Sequence, residues 1–182
     1  MRDDLLTIRR RTKMQRKHTG FTLIELLVVV GIIMVLAALA VPKFLRSKMA
    51  ANEASAVASL RTLLTANITY STTYGNAYSP DLPSLGGNPP PNCNNANVID
   101  SALASGIKSG YAFTYVLASP VAVPPPGCAP GGNSFTIQAT PAAVGSSGQR
   151  SFCTDDTTVI RFNLSGALIP APCSTSGMSA LH

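Results

Sequence analysis

One carboxylate stands inside an apolar run. Residues 17–42 read KHTGFTLIELLVVVGIIMVLAALAVP, and Glu25 is the single charged side chain between Phe21 and Pro42. A charge near the centre of a bilayer costs about 2.5–3.5 kcal/mol on insertion scales, so an acid in that setting calls for a partner. Cleavage of the Gly20–Phe21 bond would create one, a new α-ammonium at Phe21 about one helical turn from Glu25. Gly20 suits the position before such a cut, because a side chain there would crowd a protease approaching the scissile carbonyl. The other reactive residues are Cys93, Cys128, Cys153 and Cys173. They form no C-x-x-C pair, and His18 and His182 lie near the two ends of the sequence, so the spacing of a zinc site is missing. Asp155 and Asp156 are adjacent acids without further oxygen ligands and read as a turn before they read as a calcium site. Ser, His and Asp residues occur without a nucleophile motif, so no enzyme activity, cofactor or metal is expected.

The charge distribution positions these groups relative to a membrane. The chain has 182 residues and a net charge of +6. Residues 1–20 hold seven basic side chains against Asp3 and Asp4, a net of +5, and the remaining chain carries +1. Basic residues crowded before an apolar run of about twenty residues indicate a leader held in the cytoplasm and an exported remainder. Without the leader, the basic footprint that would suggest nucleic-acid binding is gone. All four cysteines then fall in an oxidising compartment, where an even count favours disulfides; four cysteines allow three pairings. The pairing Cys93–Cys128 with Cys153–Cys173 is favoured, because each bond closes a local loop in a Pro/Gly-rich stretch.

From Phe21 to about Tyr74 the pattern predicts one long helix in two halves. The first is apolar all round, with Gly31, Ala37, Ala38 and Ala40 small enough to let neighbouring helices approach. Pro42 is expected to kink or break it. In the second half Val57, Leu60, Leu64 and Ile68 recur at helical spacing, flanked by Met49, Leu63 and Tyr74. Glu53, Ser55, Ser59, Arg61 and Thr62 fall between them, which predicts an amphipathic helix with one stripe to bury. Gly75 is the expected stop. A rod of about 80 Å exceeds any compact globule of this size, so half of it must project.

Thirteen of the fourteen prolines lie at or beyond Pro80, which excludes further long helices. A turn-rich loop and a short helix around residues 98–104 are expected, followed by strands at 111–117, 134–140, 150–153 and 159–164. The alternation of Tyr111, Phe113, Tyr115 and Leu117, and of Phe135, Ile137 and Ala139, predicts half-buried antiparallel strands. The fold class is therefore α+β, a long N-terminal helix packed on a small antiparallel meander of about four strands. The tyrosines along the helix and sheet read as packing residues rather than as an aromatic relay. The chain divides into a leader (1–20), a membrane-spanning segment (21–42), an amphipathic segment (43–75) and a Pro/Gly-rich and β-sheet head (76–182).

The run Gly20-Phe21-Thr22-Leu23-Ile24-Glu25, after a basic leader and before an apolar stretch ending at Pro42, closely resembles the N-terminus of type IV prepilins. The resemblance is close over residues 17–42 and looser beyond, where it implies the lollipop-shaped pilin fold. It implies cleavage after Gly20 by a prepilin peptidase, N-methylation of Phe21, and polymerisation through the helix. It also implies that Glu25 meets the N-terminal amine of a neighbouring subunit, with Thr22 and Pro42 matching the same pattern. The implied partners are further copies of the chain, the peptidase/methyltransferase, the assembly machinery and inner-membrane lipid. The implied location is the inner membrane, as a single-pass precursor with its N-terminus inside, and then a surface pilus or a periplasmic pseudopilus. Two other readings stand beside it. One is a pseudopilin of a type II secretion system, to whose major subunit the segment YSPDLPSLG is similar. The other is a secreted or anchored binding domain with an ordinary signal, cut before Val41 at the word Ala38-Leu39-Ala40.

Overall fold

The computed structural model describes residues 20–75, 77–121, 123–173 and 179–181. The leader up to Thr19, with His18, and the terminal His182 lie outside the described residues. The chain divides into two compact units, residues 1–41 and 42–182.

Helix α1 runs Leu23–Tyr74. It starts two residues later than the apolar run and ends where expected, with Gly75 at φ +99°, a left-handed geometry that glycine adopts without penalty. The break expected at Pro42 is absent, and helical residues continue on both sides of it. Proline forfeits a single backbone hydrogen bond, while its fixed φ is itself helical, so a long helix with good formers on both sides carries it.

In the unit that begins at Pro42, a six-stranded antiparallel sheet follows the helix in sequential order: β1 Ile107–Lys108, β2 Tyr111–Pro120, β3 Gly132–Pro141, β4 Ser151–Asp155, β5 Arg161–Asn163 and β6 Ser179–Ala180. The four expected strands correspond to β2–β5. The two-residue strands at the edges, β1 and β6, are too short to leave a periodic signal. Register in the central pair runs from Tyr111 opposite Pro141 to Pro120 opposite Gly132. Two one-turn helices, α2 Leu82–Leu85 and α3 Ser101–Ala104, sit in the connecting segment, capped by Asp81 and Asp100, whose carboxylates accept the Ser84 and Leu103 N–H groups at 2.8 and 2.9 Å.

The buried stripe of α1 differs from the expected one. Glu53, Ala56, Leu60, Leu63, Asn67 and Tyr70 are buried, with Ser59, Leu64 and Ala66 beside them. Val57 is half-buried and Ile68 is 47% exposed. The spacing of three then four residues is a helical stripe all the same; it is rotated by about one residue because two polar side chains belong to it. Both are satisfied. Asn67 Oδ1 accepts the Ser79 N–H and the Tyr115 hydroxyl, and its amide donates to the Leu63 carbonyl. Glu53 Oε1 accepts the N–H groups of Gln149 and Arg150 at 2.8 and 3.1 Å, and its Oε2 lies 2.7 Å from the Arg150 guanidinium. Against this stripe pack Tyr111, Phe113, Phe135, Ile137, Ala139 and Phe152 from the inner face of the sheet.

The outer face is not the solvated face that its Thr and Gln residues suggest. Thr136 and Gln138 are buried, as is Cys153 opposite Gln138. Cys153 is bonded to Cys173 and clusters with Ile169, so the segment leading to Cys173 covers this part of the sheet. The second disulfide joins Cys93 to Cys128, with Cα atoms 5.5 Å apart. The Tyr70 hydroxyl donates to the Cys93 carbonyl at 2.6 Å and ties that loop to the helix.

Burial pushes the Glu53 carboxyl up, but the Gln149 N–H, the Arg150 guanidinium and the Arg150 N–H outweigh it and hold the group below the usual carboxylate range. A carboxylate depressed in the folded state contributes stability that is complete above its unfolded range and is lost as pH falls through that range and below. Glu53→Ala should therefore cost roughly 2–3 kcal/mol at neutral pH, below the full value of a buried pair because Arg150 is over a third exposed. It should also flatten the acid limb of the stability profile; urea unfolding of the full chain in detergent from pH 7 to pH 3 checks both. Non-reducing peptide mapping should recover Cys93–Cys128 and Cys153–Cys173 and no alkylatable thiol.

Candidate functional site

The candidate site is the start of α1. The side chains from Phe21 to Val41 are all exposed in the single chain, including Leu23 at 82% and Leu39 at 67%. This is the one helix among the described residues long and apolar enough to cross a membrane, with a mean hydropathy of 3.0 over its most apolar window. A helix is the natural form for such a segment, since it satisfies its own backbone groups where no water can.

Glu25 sits in the first turn and does not stand alone. The Thr22 N–H donates to Glu25 Oε2 at 2.9 Å, and the Thr22 hydroxyl donates to the same oxygen at 2.7 Å. The Glu25 N–H in turn approaches the Thr22 hydroxyl oxygen at 3.3 Å. With Leu23 as the first helical residue, Thr22 is the N-cap and Glu25 the third position, a reciprocal capping box. Each side chain satisfies a backbone donor that the helix start leaves open. The negative charge also lies at the positive end of the helix dipole. The T-x-x-E spacing of Thr22 and Glu25 is the local signal of this cap. Part of the cost of an acid in an apolar segment is offset within the chain, and among the described residues Glu25 Oε1 accepts no bond.

Gly20 and Phe21 precede the helix outside any regular element, both exposed, and among the described residues no side-chain or backbone atom lies near the space a Gly20 side chain would fill. Pro42 lies within α1, seventeen residues beyond Glu25. The structure brings Thr22 and Glu25 together and leaves Pro42 and the four cysteines remote in sequence from them. Among the described residues no group of three or more His, Cys, Asp or Glu side chains could hold a metal ion. Asp155 is engaged already: its Oδ1 accepts the Thr157 N–H at 3.1 Å, and its Oδ2 faces the Arg161 guanidinium at 3.8 Å. Tyr111 and Tyr115 donate their hydroxyls to the Arg150 and Ser79 carbonyls at 2.7 Å, which makes them packing residues with a polar anchor.

Residues 15–41 match the family described as the prokaryotic N-terminal methylation motif. No curated protein and no solved structure matches the chain. The matched segment contains Gly20, Phe21, Thr22 and Glu25 together, and it is the prepilin-type N-terminus of type IV pilins and pseudopilins.

Removing the N-cap should loosen the helix start without unfolding the sheet. Thr22→Ala is expected to cost about 1 kcal/mol locally, so amide exchange at Glu25 and Leu26, whose N–H groups bond to Thr22, should quicken by roughly five-fold in detergent while β2–β4 amides stay protected. Unchanged exchange in the first turn would show that the capping box contributes nothing.

Proposed function

We propose that the chain is a structural subunit of a type IV pilus or a closely related filament. It is inserted as a prepilin, cleaved after Gly20, N-methylated at Phe21 and polymerised through α1. The observation that carries this reading is Glu25. It is the one charge in an otherwise apolar segment, five residues past Gly20 and within the matched methylation motif. The capping box fits the role, since it orients the carboxylate along the helix and leaves Oε1 to accept a bond from the Phe21 amine of an adjacent copy. At low effective dielectric such a pair is strongly attractive, and docking would relieve what remains of the desolvation cost. The role is mechanical, with no catalysis or cofactor of its own. The precursor spans the inner membrane once, everything after Pro42 lies outside, and the head from about residue 76 to 182 forms the filament surface.

A second reading, a pseudopilin of a type II secretion system, shares this N-terminus and processing. Bulk incorporation into purified surface filaments supports the pilus subunit. Absence from filaments together with loss of protein secretion on deletion supports the pseudopilin.

Glu25→Ala should leave membrane insertion intact and reduce or abolish filament incorporation, and normal piliation in that variant would overturn the assigned role. Gly20→Glu should block processing, so the precursor mass should persist. Mass analysis of the unaltered protein should find it starting at methylated Phe21; a start at Val41 would instead indicate an ordinary signal peptide.

A further inference from the structure

On the helix proposed for polymerisation, just past the apolar run, lies a ring of charge that neither the motif nor the fold uses. Lys43, Arg46 and Lys48 are the first basic residues after the leader, and all three are exposed on α1. None makes an ion pair or hydrogen bond among the described residues. No carboxylate lies within four residues of any of them; the nearest in sequence, Glu53, is five positions beyond Lys48 and pairs with Arg150.

Their arrangement says what they fit. At about 100° per residue, Arg46 and Lys48 stand about 60° and about 140° from Lys43 on opposite sides, so the three charges surround the helix instead of forming one face. A single protein partner docks on one side of a helix; a planar layer of headgroups meets it from every side. Phe44 and Leu45, 68% and 49% exposed, fill the gaps between the charges. Basic heads mixed with an aromatic and aliphatic side chain on the same turn are what an interface between hydrocarbon and water accommodates, the long stems in the apolar layer and the charges at the phosphates. The depth agrees. The 19 helical residues from Leu23 to Val41 rise about 28 Å at about 1.5 Å each, close to the hydrocarbon thickness of about 30 Å.

We infer that Lys43, Arg46 and Lys48 form a collar that binds the phosphates of anionic phospholipids in the outer leaflet and fixes how deeply α1 sits. The inference rests on the reading of α1 as a membrane span. It adds a consequence of processing: removing the leader strips every Lys and Arg from the inner side, so the collar is then the only basic cluster next to the membrane. The leader sets direction before cleavage, and the collar holds depth after it.

The chain contains no tryptophan, so Phe44→Trp supplies a single reporter within the collar. The full chain is reconstituted in vesicles of phosphatidylcholine containing phosphatidylglycerol, with one or the other lipid brominated, and fluorescence quenching by the two is compared. The expected result is preferential quenching by brominated phosphatidylglycerol, from a lipid association constant raised about five-fold for each basic side chain that meets a headgroup at low salt, and weaker at high salt. The preference should vanish in Lys43→Gln/Arg46→Gln/Lys48→Gln and persist in Lys43→Arg/Arg46→Lys/Lys48→Arg. It should be equal with and without residues 1–20, so it stands independently of whether cleavage occurs. Equal quenching by both lipids overturns the collar while leaving the span intact, and so does a preference that survives the triple Gln change. Absence of quenching by either lipid overturns the span itself and the collar with it.

Discussion

A backbone that passes through hydrocarbon must satisfy its own N–H and C=O groups, and the start of a helix is where it cannot do so unaided. Everything at the N-terminus of α1 follows from that constraint. Thr22 caps the first turn, Glu25 returns a bond to the Thr22 N–H, and the carboxylate is thereby fixed in place by the same contacts that complete the helix. The acid that makes the segment unusual is thus also part of the device that lets the helix begin. Its two oxygens differ: Oε2 accepts both Thr22 bonds, and Oε1 accepts none among the described residues.

The unit from Pro42 onward solves a different problem with the same helix. Here one stripe of α1 is buried against a sheet, and two polar residues inside the stripe set the alignment. Glu53 holds the turn before β4 through two backbone N–H groups and the Arg150 side chain, and Asn67 holds Ser79 and Tyr115 near the other end. Between them Ala56, Leu60 and Leu63 supply the apolar contact. Polar anchors at both ends of an apolar seam resist sliding in a way that an apolar seam alone does not. Arg150 adds a further tie, its guanidinium lying over Phe152 and Phe162 at 5.6 and 5.4 Å.

The disulfides act on opposite margins of this core. Cys93–Cys128 gathers a proline-rich loop beside the helix, where Tyr70 fastens it, and Cys153–Cys173 draws the late chain across the outer sheet face. A domain of this length with few aromatics and short edge strands gains from such cross-links, because each shortens the reach of the unfolded chain across a segment that supplies core residues, Leu103, Tyr111 and Phe113 in one and Ile160 and Ile169 in the other.

The residues alone determined the extent of the apolar segment, the position of Glu25, the stop at Gly75, the α+β class and the four main strands, since each leaves a local signal: a run, a lone charge, a glycine, an alternation. The T-x-x-E cap is equally local, but a lone acid in an apolar run points first to a partner outside the chain, which hides its bond to Thr22. Other features were decided by tertiary structure. Glu53 and Ser59 look like solvent positions until the Gln149–Arg150 turn is brought to the helix, and Ile68 looks like core until the stripe is rotated by those polar contacts. Thr136 and Gln138 become interior only because a disulfide twenty residues long in span lays another segment over them. Pro42 passes without breaking the helix because the loss of one hydrogen bond is small against the many that continue on either side. Periodicity reports which residues could share a face; which face meets what is settled by contacts between parts of the chain far apart in sequence.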